Sequence, residues 1–181
     1  RLVQIVASGP DEKPDVLDQL LLAAVSDSRH AVSFLTPYFV PDRAMLLTLK
    51  SAAYRGVRVR LLIPSRNNHW MALWAGRSNY QELLESGVEV YEYPHALLHS
   101  KVVVVDRRWA MVGSANMDER SFRINFELTS LLYDSGLAQD LHADFDHLLS
   151  QARRITHEQI AGWTYGQTLA AGLARLASPM L

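Results

Sequence analysis

The sequence predicts an α/β fold in which a mixed, largely parallel sheet is flanked by helices on both faces. Three observations carry this expectation. Short β-branched runs alternate with stretches of helical apolar spacing along most of the chain. Val102 to Val105 is apolar without interruption, as befits a strand covered on both faces. Apolar residues make up 49% of the 181 positions, and a chain of this size can bury about 70% of its unfolded surface.

Leu2 to Ala7 reads as a strand that ends at Ser8-Gly9-Pro10, and Pro14 to Ser26 repeats Leu and Val at helical spacing. Ala31 to Thr36 is a second strand, broken by Pro37. Asp42 is placed to cap a helix running to about Tyr54 and stopping at Gly56, and Val57 to Ile63 gives a third strand. A single helix is expected from about His69 to Ser86, ended by Gly87, with Val88 to Tyr93 a strand after it. Val102 to Val105, Ala110 to Val112 and Leu128 to Tyr133 complete the strands. From Leu137 the pattern is helical. Residues 1–155 read as one domain, and residues 156–181 as an apolar helical tail containing Trp163, Tyr165, Leu169, Leu173 and Leu176.

Composition narrows the chemistry. The formal net charge of -1 lacks the basic excess with which proteins gather nucleic-acid phosphates, so no nucleic acid is expected as partner. With no cysteine, disulfides, thiolate metal sites and thiol nucleophiles are excluded. No apolar run reaches the ~20 residues that span a bilayer, and Arg1 opens onto a strand without an initiating Met, which points to a piece of a longer protein.

The informative stretch is His99-Ser-Lys101-Val-Val-Val-Val-Asp106, then Gly113-Ser114-Ala-Asn116, then Asn125-Phe-Glu127. On a strand, residues two apart share a face, so His99 and Lys101 project together and Ser100 turns away. Ser114 and Asn116 repeat that spacing behind a glycine whose bare backbone can approach a ligand closely. Phosphodiester transfer needs a group that titrates near neutrality, a cation for the nonbridging oxygens and donors where charge develops. His99, Lys101, Ser114 and Asn116 supply that list, with Lys101, Ser114 and Asn116 as the phosphate-binding set. A carboxylate that orients the imidazole would be Asp106 or Glu127. Asp106 has the wrong parity to share the His99 face on an unbroken strand and ends an apolar run at a turn, so the orienting role falls to Glu127 and a turn-tying role to Asp106. A histidine nucleophile would pass through a phosphohistidine, with a second His protonating the leaving alcohol.

HxKxxxxD followed by GSxN resembles the signature of the phospholipase D superfamily at every defining position. The flanks Ala7-Ser-Gly-Pro10, Thr36-Pro-Tyr-Phe-Val-Pro-Asp42, Trp74-Ala-Gly-Arg77, Gly113-Ser-Ala-Asn-Met-Asp118 with Arg120-Ser121, Asn125-Phe-Glu127 and Ser178-Pro-Met-Leu181 resemble the C-terminal half of bacterial cardiolipin synthases. The resemblance implies an α/β sandwich whose two signature-bearing halves meet at one metal-free site. It adds Asp106 to the catalytic signature of His99, Lys101 and Glu127, in a mainly structural part, and has Glu127 contact His99. It implies that the N-terminal copy attacks and His99 serves as acid and base. The substrate would be phospholipid: two phosphatidylglycerol molecules become cardiolipin and glycerol, at the bacterial cell membrane. The second His and Lys would come from a missing N-terminal half or from a second copy by two-fold pairing.

Competing readings are a single-signature nuclease or phosphodiesterase working as a homodimer, and a noncatalytic half that completes a partner's pocket. His30, His69, His95, His142, His147 and His157 lack metal-ligand spacing and read as surface or packing residues, so neither metal nor cofactor is expected. Tyr38, Phe39 and Trp74 read as core, and Arg120 rather than Arg77 as the arginine that attracts phosphate. For the tail, packing on the domain competes with an interfacial helix lying on a membrane surface.

Overall fold

A computed structural model describes residues 2–11, 15–95 and 98–176. Strand β1 (Leu2–Ser8) leads to helix α1 (Val16–Asp27); Pro14, the expected start of that helix, lies outside the described residues. After β2 (Ala31–Leu35) and the short β3 (Phe39–Val40) comes α2 (Arg43–Tyr54). The Asp42 carboxylate caps α2 by accepting the Met45 N–H at 2.8 Å, and Gly56 takes φ 86° just beyond its end. β4 (Arg58–Pro64) follows. The single helix expected over His69 to Ser86 is two, α3 (Trp70–Arg77) and α4 (Tyr80–Glu85). At the break Ser78 Oγ and Asn79 Nδ2 both donate to the Ala75 carbonyl, at 2.6 and 3.0 Å, so side chains take over a carbonyl of the helical ladder.

β5 (Glu89–Tyr93) is followed by β6 (Val102–Val105), β7 (Trp109–Gly113), β8 (Met117–Asp118), α5 (Glu119–Arg123) and β9 (Glu127–Tyr133). Then come α6 (Ser135–Ser150), β10 (Arg153–Arg154), α7 (His157–Ala161) and α8 (Tyr165–Leu176). The main sheet has eight strands in the order β1-β9-β7-β6-β2-β4-β5-β10. The class is the expected mixed α/β, but the sheet is mostly antiparallel: only β2 with β4 and β4 with β5 run parallel. The reason is that a parallel pair needs a covering crossover, which α2 supplies once and α3 with α4 once. After Val102 the strands double back, β6 on β2 and then β7 on β6, with only the two-residue β8 and the five-residue α5 between β7 and β9.

Helices α1, α2 and α4 cover one face and α6 the other. β6 shows the two-sided burial its composition requires: Val103 and Val105 join Phe34, Leu61 and Met111 in the larger core, while Val104 meets Ala110 and Ala138 on the opposite face. A second, two-stranded sheet pairs β3 with β8 in parallel, Phe39 opposite Met117, and pins the loop after β2 to the loop after β7. Past the expected boundary at residue 155 the C-terminal segment packs back onto the domain. Ile155 is buried in the core, α7 packs on α4, α8 packs along α3, and the Trp163 ring meets Trp74 edge-on at 5.7 Å. Ser178 to Leu181 lie outside the described residues.

Asp18 is buried on α1, with Oδ1 lacking a hydrogen-bond partner. Burial first, then the nearby Asp42 and Asp15 charges, pushes its pKa up to about 6. The folded state therefore holds this proton more tightly than the unfolded chain, and ionisation costs stability as pH rises from about 4 to about 6. Asp18→Asn is expected to stabilise the fold by about 1–2 kcal/mol at pH 7.5, with the gain vanishing by pH 4, as read from urea midpoints.

Candidate active site

The antiparallel order β6-β7-β9 brings the start of β6, the end of β7 and the start of β9 to one edge of the sheet. The pairing continues past the strands: Gly113 N–H donates to the Lys101 carbonyl at 3.2 Å, and Ser114 N–H to the Leu128 carbonyl at 3.0 Å. His99 and Lys101 before β6, Ser114 and Asn116 after β7, and Glu127 at the head of β9 thus come from distant parts of the chain to neighbouring strand ends. His99 and Lys101 lie in the segment that leads into β6 rather than within the strand.

Lys101 Nζ stands 3.0 Å from Nδ1 and 3.4 Å from Nε2 of His99, and donates to the His99 carbonyl at 2.9 Å. An ammonium only donates, so the ring nitrogen it engages is the one carrying the lone pair. Partial burial pulls the Lys101 pKa below its ordinary value, against the opposing influence of the Glu127 and Asp118 charges. Ser114 Oγ donates to Glu127 Oε2 and accepts the Leu128 N–H at 3.0 Å, while Asn125 Nδ2 donates to Glu127 Oε1 at 3.2 Å. Among the described residues no hydrogen bond joins Glu127 to His99, contrary to the expected orienting contact. The cause is strand order: β7 lies between β6 and β9, so the Glu127 carboxylate meets the Ser114 hydroxyl first.

Gly113 also serves differently from the expectation. A methyl there would lie 2.6 Å from both the Leu128 carbonyl oxygen and Thr129 Oγ1, so the bare backbone admits the neighbouring strand β9 rather than a ligand. Asn116 donates its N–H to Ser121 Oγ at 3.0 Å and leaves its buried Oδ1 without a partner. It lines an open cleft of about 340 Å³ together with Tyr38, His69, Asp118, Arg120 and Asn125. Arg120 is on the cleft wall, whereas Arg77 is tied to the buried Glu92 at 2.9 Å. Phe39 is buried as expected, but Tyr38 and His69, read from sequence as core and surface, pack edge-on at 5.5 Å as cleft walls. The one sequence signal for Tyr38 is its place just after a strand end, where α/β folds collect ligands; for His69 there is none.

A family model described as cardiolipin synthase, phospholipase D-like domain, matches residues 21–149. The chain belongs to this family. The cardiolipin synthase of Geobacillus kaustophilus is 42% identical over 179 residues, covering 99% of this chain and 36% of that protein. The chain thus spans about a third of the length of the curated relatives it matches. Among solved structures, a phospholipase D family member, Nuc from Salmonella typhimurium, aligns with TM-score 0.73 and 24% identity over 85% of this chain and 97% of that one. Phosphatidylserine synthase of Haemophilus influenzae aligns with TM-score 0.75 and 16% identity over 99% of this chain and 48% of that one, a likeness of fold.

Within this phospholipase D-like domain Asp106 does not join the site. It sits at the opposite end of β6 from Lys101, five residues or about 16 Å away, in a turn where Asp106 and Arg107 take φ of 51° and 55° and Arg108 N–H closes onto the Val105 carbonyl at 3.0 Å. Its carboxylate accepts the N–H groups of Arg29, His30 and Ala31 at 2.9, 2.8 and 2.9 Å, fastening β6 to the start of β2. Burial acts to raise its pKa, but these donors outweigh it and hold the carboxyl below the ordinary aspartate range. Stability from a depressed pKa is present above the unfolded value and lost as pH falls through the folded one. Asp106→Asn keeps a residue tolerant of positive φ and is expected to cost about 1–2 kcal/mol at pH 7, with the difference from the parent closing towards pH 3 in urea titrations.

Proposed function

We propose that this chain supplies one half of an active site for phosphatidyl transfer, joining two phosphatidylglycerol molecules into cardiolipin and releasing glycerol. The observation that carries the reading is the convergence of His99, Lys101, Ser114, Asn116 and Glu127 on one sheet edge, in a chain 42% identical to a cardiolipin synthase along almost its whole length. Lys101 faces the nonbridging phosphate oxygens with the Asn116 amide beside it, and Glu127 restrains the Ser114 hydroxyl.

In the first half-reaction a histidine of the other half attacks phosphorus. The bond from phosphorus to the glycerol oxygen breaks, and His99 gives its proton to that oxygen. In the second, a glycerol hydroxyl of another phosphatidylglycerol gives its proton back to His99 as its oxygen displaces the histidine nitrogen from phosphorus. The site is completed by an N-terminal half or a second copy. The exposed Ile5, Phe126 and Leu128, beside the Ser8–Glu127 pairing, offer the apolar surface such a partner needs. Among the described residues no helix is long and apolar enough to cross a membrane. The membrane surface, rather than its interior, is the contact proposed for this part.

The longer protein carrying His99→Ala is expected to form cardiolipin from phosphatidylglycerol roughly 10²-fold more slowly or worse, with an unchanged melting temperature. Unaltered turnover would return this half to a scaffold role, and formation of phosphatidic acid alone would make the activity hydrolytic. Rapid quenching in detergent at neutral to alkaline pH, with phosphatidylglycerol labelled in its phosphatidyl part, is expected to trap phosphohistidine on the partner half, leaving His99 unlabelled.

A further inference from the structure

Helix α8 presents its small side chains inward and its large apolar ones outward. Ala171 and Ala174 are buried, whereas Tyr165, Leu169, Leu173 and Leu176 recur at one-turn spacing along a solvent-facing stripe. Leu173 is 59% exposed and Leu176 79% exposed. Facing that stripe is the first turn of α3, where Trp70 is 62% exposed. Between them runs a furrow of about 280 Å³ walled by Trp70, Met71, Leu169 and Leu173, with no charged side chain in its lining. Single exposed leucines need no account, but a continuous apolar strip with a furrow in it does.

The position of the furrow identifies its occupant. His69 and Ala72, on the same turn as Trp70 and Met71, wall the cleft that holds Asn116, so one turn of α3 has the cleft on one side and the furrow on the other. A molecule that fills both has a phosphodiester and a hydrocarbon part. A partner half of the enzyme does not meet this description. The apolar surface proposed above for such a half is the β1–β9 edge beside Glu127, and α8 packs on α3 instead.

We propose that the α3–α8 face is a lipid-docking surface that takes hydrocarbon from a bilayer while the adjoining cleft takes the headgroup phosphodiester. Trp70 and Tyr165 sit at the interface, where amphipathic rings are favoured. The inference deepens the lipid reading of the site and rests on it for its purpose, but its test does not involve turnover.

The 181-residue chain is mixed with vesicles of phosphatidylglycerol and phosphatidylcholine, and the bound fraction is measured by co-sedimentation. Binding is expected, and the Leu169→Asp/Leu173→Asp variant is expected to bind roughly tenfold or more weakly. Both positions are about half exposed, so its melting curve should match the parent's. His99→Ala is expected to bind like the parent, which keeps failure of docking distinct from failure of the catalytic reading. Absence of binding by the parent, or equal binding by the aspartate variant, would overturn the proposal. So would light scattering in which that variant turns a dimer into a monomer with vesicle binding unchanged, since the face would then belong to a second copy.

Discussion

Everything at the candidate site depends on the close pairing of β7 with β9. Gly113 stands opposite Thr129, and the strands approach so nearly that any side chain at Gly113 would run into the Leu128 carbonyl and the Thr129 hydroxyl. That contact sets the register, and the register sets the chemistry. A slip of one residue would turn every side chain to the other face and carry Ser114 away from Glu127. With β6 on the other side of β7, the same ladder places His99 and Lys101 at the edge where Ser114 and Glu127 already meet. Turns and caps hold this arrangement from a distance: Asp106 ties the far end of β6 to β2, and β3 on β8 holds Tyr38 against the Asn116 loop.

The charges of the half-site are nearly balanced. Lys101 is drawn down by burial and held up by Glu127 and Asp118, while Asp118, buried as the cap of α5, is itself raised by that burial. A phosphodiester arriving here meets one ammonium and an imidazole against a carboxylate already satisfied by Ser114 and Asn125. On the proposed function, a second His and Lys from a partner half would tip this balance towards the anion.

The two ends of the sheet are built for different neighbours. At the β1–β9 end apolar side chains stand exposed beside the candidate site. At the β5–β10 end the buried Glu92 gathers Arg77, Arg153 and Tyr80, and α7 and α8 close over α4 and α3. Through Arg153, Glu92 anchors to the domain the β10 segment from which the C-terminal helices start.

Local rules made much of this protein legible from its residues. The α/β class, the Asp42 cap, the stop at Gly56 and the two-sided β6 follow from periodicity and capping chemistry, and spacing offers His99, Lys101, Ser114, Asn116 and Glu127 as candidates. Strand direction did not, because antiparallel return depends on which strands find one another, and nothing in Val102 to Tyr133 taken singly records that β7 inserts between β6 and β9. From that insertion come the Ser114–Glu127 bond in place of a His99 contact, the use of Gly113 against a strand, and the removal of Asp106 to the far end of β6. Tyr38 and His69 entered the cleft through packing across more than forty residues of chain. Sequence by itself determined which groups could do phosphodiester chemistry, since side-chain identity and short-range spacing are written residue by residue. Tertiary structure alone decided which of them touch, because contact between strand ends is a property of register and sheet order, quantities that no local window contains.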